Sequence, residues 1–285
     1  MMDFWSGHAG WSAHAGSGPL NVGGGPAHGG GVVRQLVAAQ RRALARERAI
    51  NSRLQQAILP VPSPTVEING MRVAVRYEGA DQNLTGVGGD WYLSDPLPGG
   101  DLLLAVGDVT GHGLAVAATM VKLRYTMAAL AVAGHGPSEV LGALNRHLCR
   151  YDTGEAATAV IATYRPGTGQ LTWARAGHPP MLLLARRERI EPLWQPAGVI
   201  LGMVPETTYA NATCRLHAGD LLLMYTDGFV EEPGGSIDEG VSTLAAEARG
   251  VYDGAPADRP AAVVDRLRRR NPRDDACVLA AERLC

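Results

Sequence analysis

Aspartates recur where apolar segments begin or end. Asp90 closes the glycine-rich GVGGD, Asp108 follows the run Leu102–Val106, and Asp227 follows Asp220–Thr226 (DLLLMYT); Asp274 and Asp275 immediately precede Cys277–Ala281. In antiparallel sheets, acids so placed gather at one edge. Like charges brought that close call for a cation. Oxygen donors without a neighbouring His or Cys suit hard ions such as Mg2+ or Mn2+ better than zinc. Taken alone, Asp108 has a second reading, the helix-capping residue of an ordinary strand-to-helix turn. GVGGD is no P-loop, because no Gly-Lys-Ser/Thr follows it.

The elements that must position these acids are legible around them. Leu102–Met120 (LLLAVGDVTGHGLAVAATM) predicts a buried strand, a turn through Gly111, His112 and Gly113, and a helix whose positive N-terminal end suits an anion. Val66–Tyr77 alternates like a strand, and Trp91–Leu93 leads toward a Pro-Gly turn near Pro98 and Gly100. Further strands are expected at Thr158–Tyr164, Leu171–Arg175 and Met181–Leu184, with a helix over Pro137–Arg150 and a tight corner at Ala176–Pro180 (AGHPP). Hairpins of strands with grouped helices predict an α+β fold, antiparallel sheets covered by helices rather than a doubly wound parallel sheet.

Five segments, in order, resemble the motifs of the bacterial SpoIIE/RsbU-type phosphatases of the PPM (protein phosphatase 2C-like) family. They are VGGDWY (Val87–Tyr92), GDVTGHG (Gly107–Gly113), ARAGHPP (Ala174–Pro180), GDLLLMYTDG (Gly219–Gly228) and RDDACVL (Arg273–Leu279). The resemblance runs from about Thr65 to the C-terminus, and RLQQAILP (Arg53–Pro60) resembles the linker that often precedes such a domain. It implies a four-layer α-β-β-α sandwich of two mainly antiparallel sheets, with two Mn2+ or Mg2+ ions at one end. By motif match Asp90 and Asp108 lie between the metals, the Val109 carbonyl completes one shell, Asp227 and Asp274 ligate on the second side, and Asp275 adds a supporting hydrogen bond. The ions would activate water for in-line attack on phosphorus without a covalent phosphoenzyme.

Other positions keep two readings. His112 is either the general acid for the leaving oxygen or a brace for its turn. His178 reads as a corner residue rather than a catalyst, and Leu93 stands where relatives often carry an acid. Lys122 and Arg124 are phosphate-binding candidates by position alone; otherwise they line a solvated helix face. The implied activity is hydrolysis of a phosphoserine or phosphothreonine, commonly on an anti-sigma-factor antagonist in a partner-switching pathway. A non-catalytic pseudophosphatase and a hydrolase of small phosphate esters are the alternatives.

Composition sets the outer limits. Of the 285 residues 46% are hydrophobic, enough for a substantial core. Residues 1–31 are Gly/Ala/His-rich with few aliphatic side chains and predict a disordered arm, with neither a basic nor an apolar leader region. Its Trp5, Trp11, His8, His14 and His28 are irregularly spaced, which suits an untethered tail better than a binding element. A formal net charge of -2 argues against nucleic acid as partner, and Arg266–Arg270 reads as the solvated end of a helix. No stretch reads as long and apolar enough to span a membrane. Cys149, Cys214, Cys277 and Cys285 are scattered, as expected of reduced thiols in a cytoplasmic protein.

Residues 32–64 are expected to form a linker: one long helix over Val32–Leu59, then an extended connector through Pro60, Pro62 and Pro64, leaving residues 65–285 as the compact domain. Leu36, Ala43, Ile50 and Ala57 recur every seven residues, with Leu54 on the partner seam; Gln40 and Glu47 weaken that seam. The helix is therefore expected to form a modest homodimer or else to pack on its own domain. Replacing Ile50 and Leu54 together with Lys buries unpaired charge in the seam. The wild-type chain should sediment as a dimer at high concentration and the double variant as a monomer with altered turnover.

Overall fold

The computed structural model describes residues 34–35, 37–43, 45–46, 65–79, 88–151, 153–185, 190–232, 234–254 and 257–284. The chain divides into two units, Met1–Leu44 and Ala45–Cys285. In the first unit the described residues between Arg34 and Ala43 are helical, and Val37 is 42% exposed. The arm at residues 1–31, the seam residues Leu36, Ile50, Leu54 and Ala57, and the proline connector lie outside the described residues.

In the second unit the chain runs β1 (Val66–Ile68), β2 (Met71–Glu78), β3 (Trp91–Pro96), β4 (Leu102–Val109), α1 (Leu114–Val132), α2 (Pro137–Tyr151), β5 (Ala157–Arg165), β6 (Gln170–Ala176) and β7 (Met181–Leu184). It continues through β8 (Glu191–Leu193), β9 (Ala212–Arg215), β10 (Leu221–Tyr225), α3 (Ile237–Asp253), α4 (Arg259–Arg266) and β11 (Ala276–Arg283). One sheet has the order β1-β2-β11-β10-β7-β8 and the other β3-β4-β5-β6-β9. Every paired strand in both is antiparallel. Helices α1 and α2 cover the five-stranded sheet, α3 and α4 cover the six-stranded one, and the bare sheet faces meet in the middle. This is the expected four-layer α-β-β-α sandwich.

Alternation along the strands explains the layers. In β10, Leu222 and Met224 enter the core between the sheets, while Leu221, Leu223 and Tyr225 pack beneath the outer helices. In β11, Cys277, Leu279 and Ala281 face inward and Ala276, Val278 and Ala280 outward. Both faces are dry, so these strands read as continuous apolar runs. Local signals start the helices: Ser236 and Glu239 form a capping box for α3, and Asp258 caps α4 by accepting the Ala261 amide at 3.1 Å.

Two expectations need correction. The strand expected over Val66–Tyr77 is a hairpin, β1 and β2, turning at Asn69 and Gly70 with φ of 48° and 77°. A two-residue turn with both residues left-handed reverses the chain without breaking the alternation, so the pattern alone showed one strand. Helix α1, at 19 residues, is long and apolar enough by length and composition to cross a membrane, contrary to the sequence reading. Its inner face, with Met120, Leu123 and Met127 fully buried, packs on β3 and β4, and its outer face is also rich in Ala.

The AGHPP corner ties the sheets together. His178 is 1% exposed; its Nε2 lies 3.0 Å from the Tyr225 carbonyl of β10 and its Nδ1 2.8 Å from Thr158 Oγ1 of β5. A carbonyl only accepts, so Nε2 carries the proton and Nδ1 accepts from the threonine hydroxyl. Burial pushes the imidazole pKa down from 6.5 to about 3, so it is neutral. In the unfolded chain it protonates near 6.5, so acidification between these values favours unfolding, by up to ~1.4 kcal/mol per pH unit. His178→Gln should lose about 1–3 kcal/mol at pH 7. Denaturant titrations between pH 6 and 4 should show the variant's stability falling less steeply than the wild type's.

Candidate metal centre

The acids are delivered by the ends of four strands. Trp91 of β3 pairs with Gly107 of β4, so Asp90, just before β3, meets Asp108, the penultimate residue of β4. Tyr225 of β10 pairs with Val278 of β11, and beyond that pair Asp227 leaves β10 while Asp274 and Asp275 lead into β11. One hydroxyl joins the two strand pairs. Thr226 Oγ1 accepts the Cys277 amide at 2.8 Å and donates to Asp90 Oδ2 at 2.7 Å, crossing from one sheet to the other. Asp227 opens a short 3-10 turn, and its own carbonyl accepts the amides of Val230 and Glu231, each at 2.7 Å.

Glycines let the backbone come this close. A Cβ on Gly89 would lie 2.3 Å from the Val109 carbonyl oxygen and 2.7 Å from Asp108 Oδ1, and one on Gly88 would lie 1.3 Å from Asp275 Oδ2. The Val109 carbonyl therefore sits beside the Asp108 carboxylate. Asp275 supports its neighbour through the main chain, its amide donating to Asp274 Oδ1 at 2.9 Å.

The charges feel one another. Burial first, then Asp108, raises the Asp90 pKa well above the carboxylate range. Burial and then Asp274 raise Asp108 to about 6; burial, then Asp108 and Asp274, raise Asp227 to about 7. The sequence-derived acids Asp90, Asp108, Asp227 and Asp274 thus occupy one neighbourhood. Among the described residues no three His, Cys, Asp or Glu side chains close to the spacing of a formed ion cage. The donor set nevertheless fits a hard divalent cation: it is all oxygen, and Asp227 Oδ1 is buried with no hydrogen-bond partner among the described residues.

Other candidates fall elsewhere. His112 is exposed between Gly111 and Gly113 and makes no side-chain hydrogen bond to the described residues. Arg124 is neither solvated nor at the acids: it is 9% exposed and its Nε donates to the Tyr92 carbonyl at 3.0 Å. Lys122 is exposed on α1. Leu93 is fully buried, paired with Ala105 of β4, which accounts for an apolar residue there. The basic run also departs from its reading. Arg266 ends α4, but the Arg269 and Arg270 side chains are only 10% and 12% exposed and hold the loops that carry Asp274 and Asp227. Sequence reasoning missed them; the one available signal was their closeness to Asp274.

The sandwich fold is shared with solved PP2C-type phosphatase domains. Residues 98–284 match the family described as Stage II sporulation protein E (SpoIIE), and the chain belongs to that family. Asp90 precedes the matched region. The chain is 30% identical over 129 residues to phosphoserine phosphatase RsbU of Bacillus subtilis (strain 168), a match covering 45% of this chain and 38% of that protein. The crystal structure of the RsbU and RsbW domains of Rv1364c from Mycobacterium tuberculosis is similar at a TM-score of 0.68 and 30% identity, covering 76% of this chain and 61% of that one. The catalytic domain of the serine/threonine phosphatase PstP, solved with 2 manganese ions, shares the fold at a TM-score of 0.54 and 16% identity, over 75% and 99% of the respective chains.

Raised acid pKa values carry a stability cost in the metal-free protein. Between 3.8 and about 7 the folded state holds a proton on Asp227 that the unfolded state has lost, so metal-free stability falls as pH rises through that window. Asp227→Asn should raise the melting temperature of the metal-free protein at pH 8 while cutting turnover by orders of magnitude. Calorimetry in chelator, paired with an activity assay, reads both.

Proposed function

We propose that this chain is a metal-dependent, cytoplasmic protein serine/threonine phosphatase. Its substrate in this reading is a phosphoserine or phosphothreonine on an anti-sigma-factor antagonist in a partner-switching pathway. The observation that carries the reading is the gathering of Asp90, Asp108, Asp227 and Asp274 at one edge of a SpoIIE-family domain, with Asp227 Oδ1 unsatisfied. The substrate class is supported by the phosphoserine phosphatase RsbU, and the pathway by the Rv1364c structure that contains RsbU and RsbW domains.

In this proposal Asp90, Asp108, the Val109 carbonyl, Asp227 and Asp274 would hold two Mn2+ or Mg2+ ions. When bound, such ions supply a hydroxide nucleophile at neutral pH and neutralise charge on the phosphoryl oxygens. The chain's own residues do the rest. Thr226 orients Asp90 through its hydroxyl, the Asp275 amide orients Asp274, and the buried setting strengthens each carboxylate's pull on a cation. His112, exposed on the turn that follows Asp108, is the proposed proton donor to the leaving oxygen.

Turnover of a phosphoserine protein should vanish in chelator and return with Mn2+ or Mg2+. Full activity in a preparation shown metal-free by elemental analysis would refute the mechanism. His112→Ala should slow a phosphoserine substrate by about 10²–10⁴-fold and an ester with an acidic leaving group far less. Equal losses on both would remove the proton-donor role. Faster turnover of a free phosphorylated amino acid than of the phosphoprotein would favour a small-ester hydrolase instead.

A further inference from the structure

The segment between α4 and β11 brings Asp274 to the acid cluster without a strand ladder to hold it. An arginine replaces the ladder. The Arg269 guanidinium donates to four main-chain carbonyls: Nε to Asn271 at 2.9 Å, Nη1 to Gly79 at 3.0 Å, and Nη2 to Pro272 and, at 2.7 Å, to Asp274 itself. Three of these lie on the loop that presents Asp274, and the fourth lies just past the end of β2. The next residue grips the other side. The Arg270 amide donates to the Gly228 carbonyl at 2.9 Å, beside Asp227, and its guanidinium joins Glu232 and Glu247, each at 2.8 Å.

We propose that Arg269 is a positioning residue for the metal centre, fixing the main chain of Asp274 so that its carboxylate is set before an ion arrives. The inference rests on the metal reading proposed above. A planar fork with five donors can satisfy several carbonyls at once; a lysine ammonium cannot reproduce that geometry. The ion pair of Arg269 with Glu78, 3.8 Å long with Glu78 37% exposed, adds little to these hydrogen bonds.

The test uses the full chain with Arg269→Lys, Arg269→Met and Glu78→Gln. Circular dichroism and thermal unfolding in chelator establish folding, equilibrium dialysis with Mn2+ gives affinity and ions per chain, and turnover is followed against Mn2+ concentration. Arg269→Lys and Arg269→Met should bind Mn2+ about 10–100-fold more weakly. The Mn2+ needed for half-maximal activity should rise by the same factor, while kcat at saturating Mn2+ recovers to within severalfold. Glu78→Gln should match the wild type. Wild-type affinity in a folded Arg269→Lys protein would overturn the inference alone. So would a loss in Glu78→Gln equal to that in the arginine variants, or failure of both arginine variants to fold, which would make Arg269 a folding residue. Absence of Mn2+ binding by the wild-type chain would overturn the metal reading, and this inference with it.

Discussion

Repulsion among buried carboxylates is the constraint on which this structure is built. Burial and the neighbouring acids raise the proton affinity of Asp90, Asp108 and Asp227 at one edge, and Asp90 is 1% exposed. Left to themselves such groups would move apart or stay protonated. The sandwich prevents the first. Asp90 and Asp108 sit at the paired ends of β3 and β4, so moving either by a residue would turn an apolar row toward the wrong layer, while Asp227 and Asp274 lie just outside β10 and β11 and are held by turn hydrogen bonds and by Arg269. The second is what the proposed divalent cation would prevent.

The parts of this arrangement that sequence reveals are those that composition distinguishes. An apolar run with Asp at its end or entrance is conspicuous because the run itself carries no charge, so β4, β10 and β11 and their acids were legible. The hairpin at Asn69 and Gly70 was not, since its turn preserved the alternation on either side. Arginines were the least legible. Arg124 and Arg269 look in sequence like any solvated cation near a helix, yet both are folded onto carbonyls that no strand or helix satisfies. What recruits them is an unmet main-chain acceptor on a neighbouring element, and a linear reading does not display one.

The two sheets touch mainly through hydrocarbon, which resists separation but does little against sliding. Polar ties supply the missing direction, and they converge where β10 ends. Tyr225 offers its carbonyl to His178, whose other nitrogen reaches Thr158, the residue paired with Asp108 in the opposite sheet. Thr226 offers its hydroxyl to Asp90. Asp227 has one buried carboxylate oxygen without a hydrogen bond to the described residues. Three consecutive residues thus register one sheet on the other twice and then place an acid at the edge. The neutrality of His178 belongs to the same logic: with its pKa down at about 3 it can bridge the sheets as donor and acceptor at neutral pH without adding a cation next to acids that are arranged to attract one.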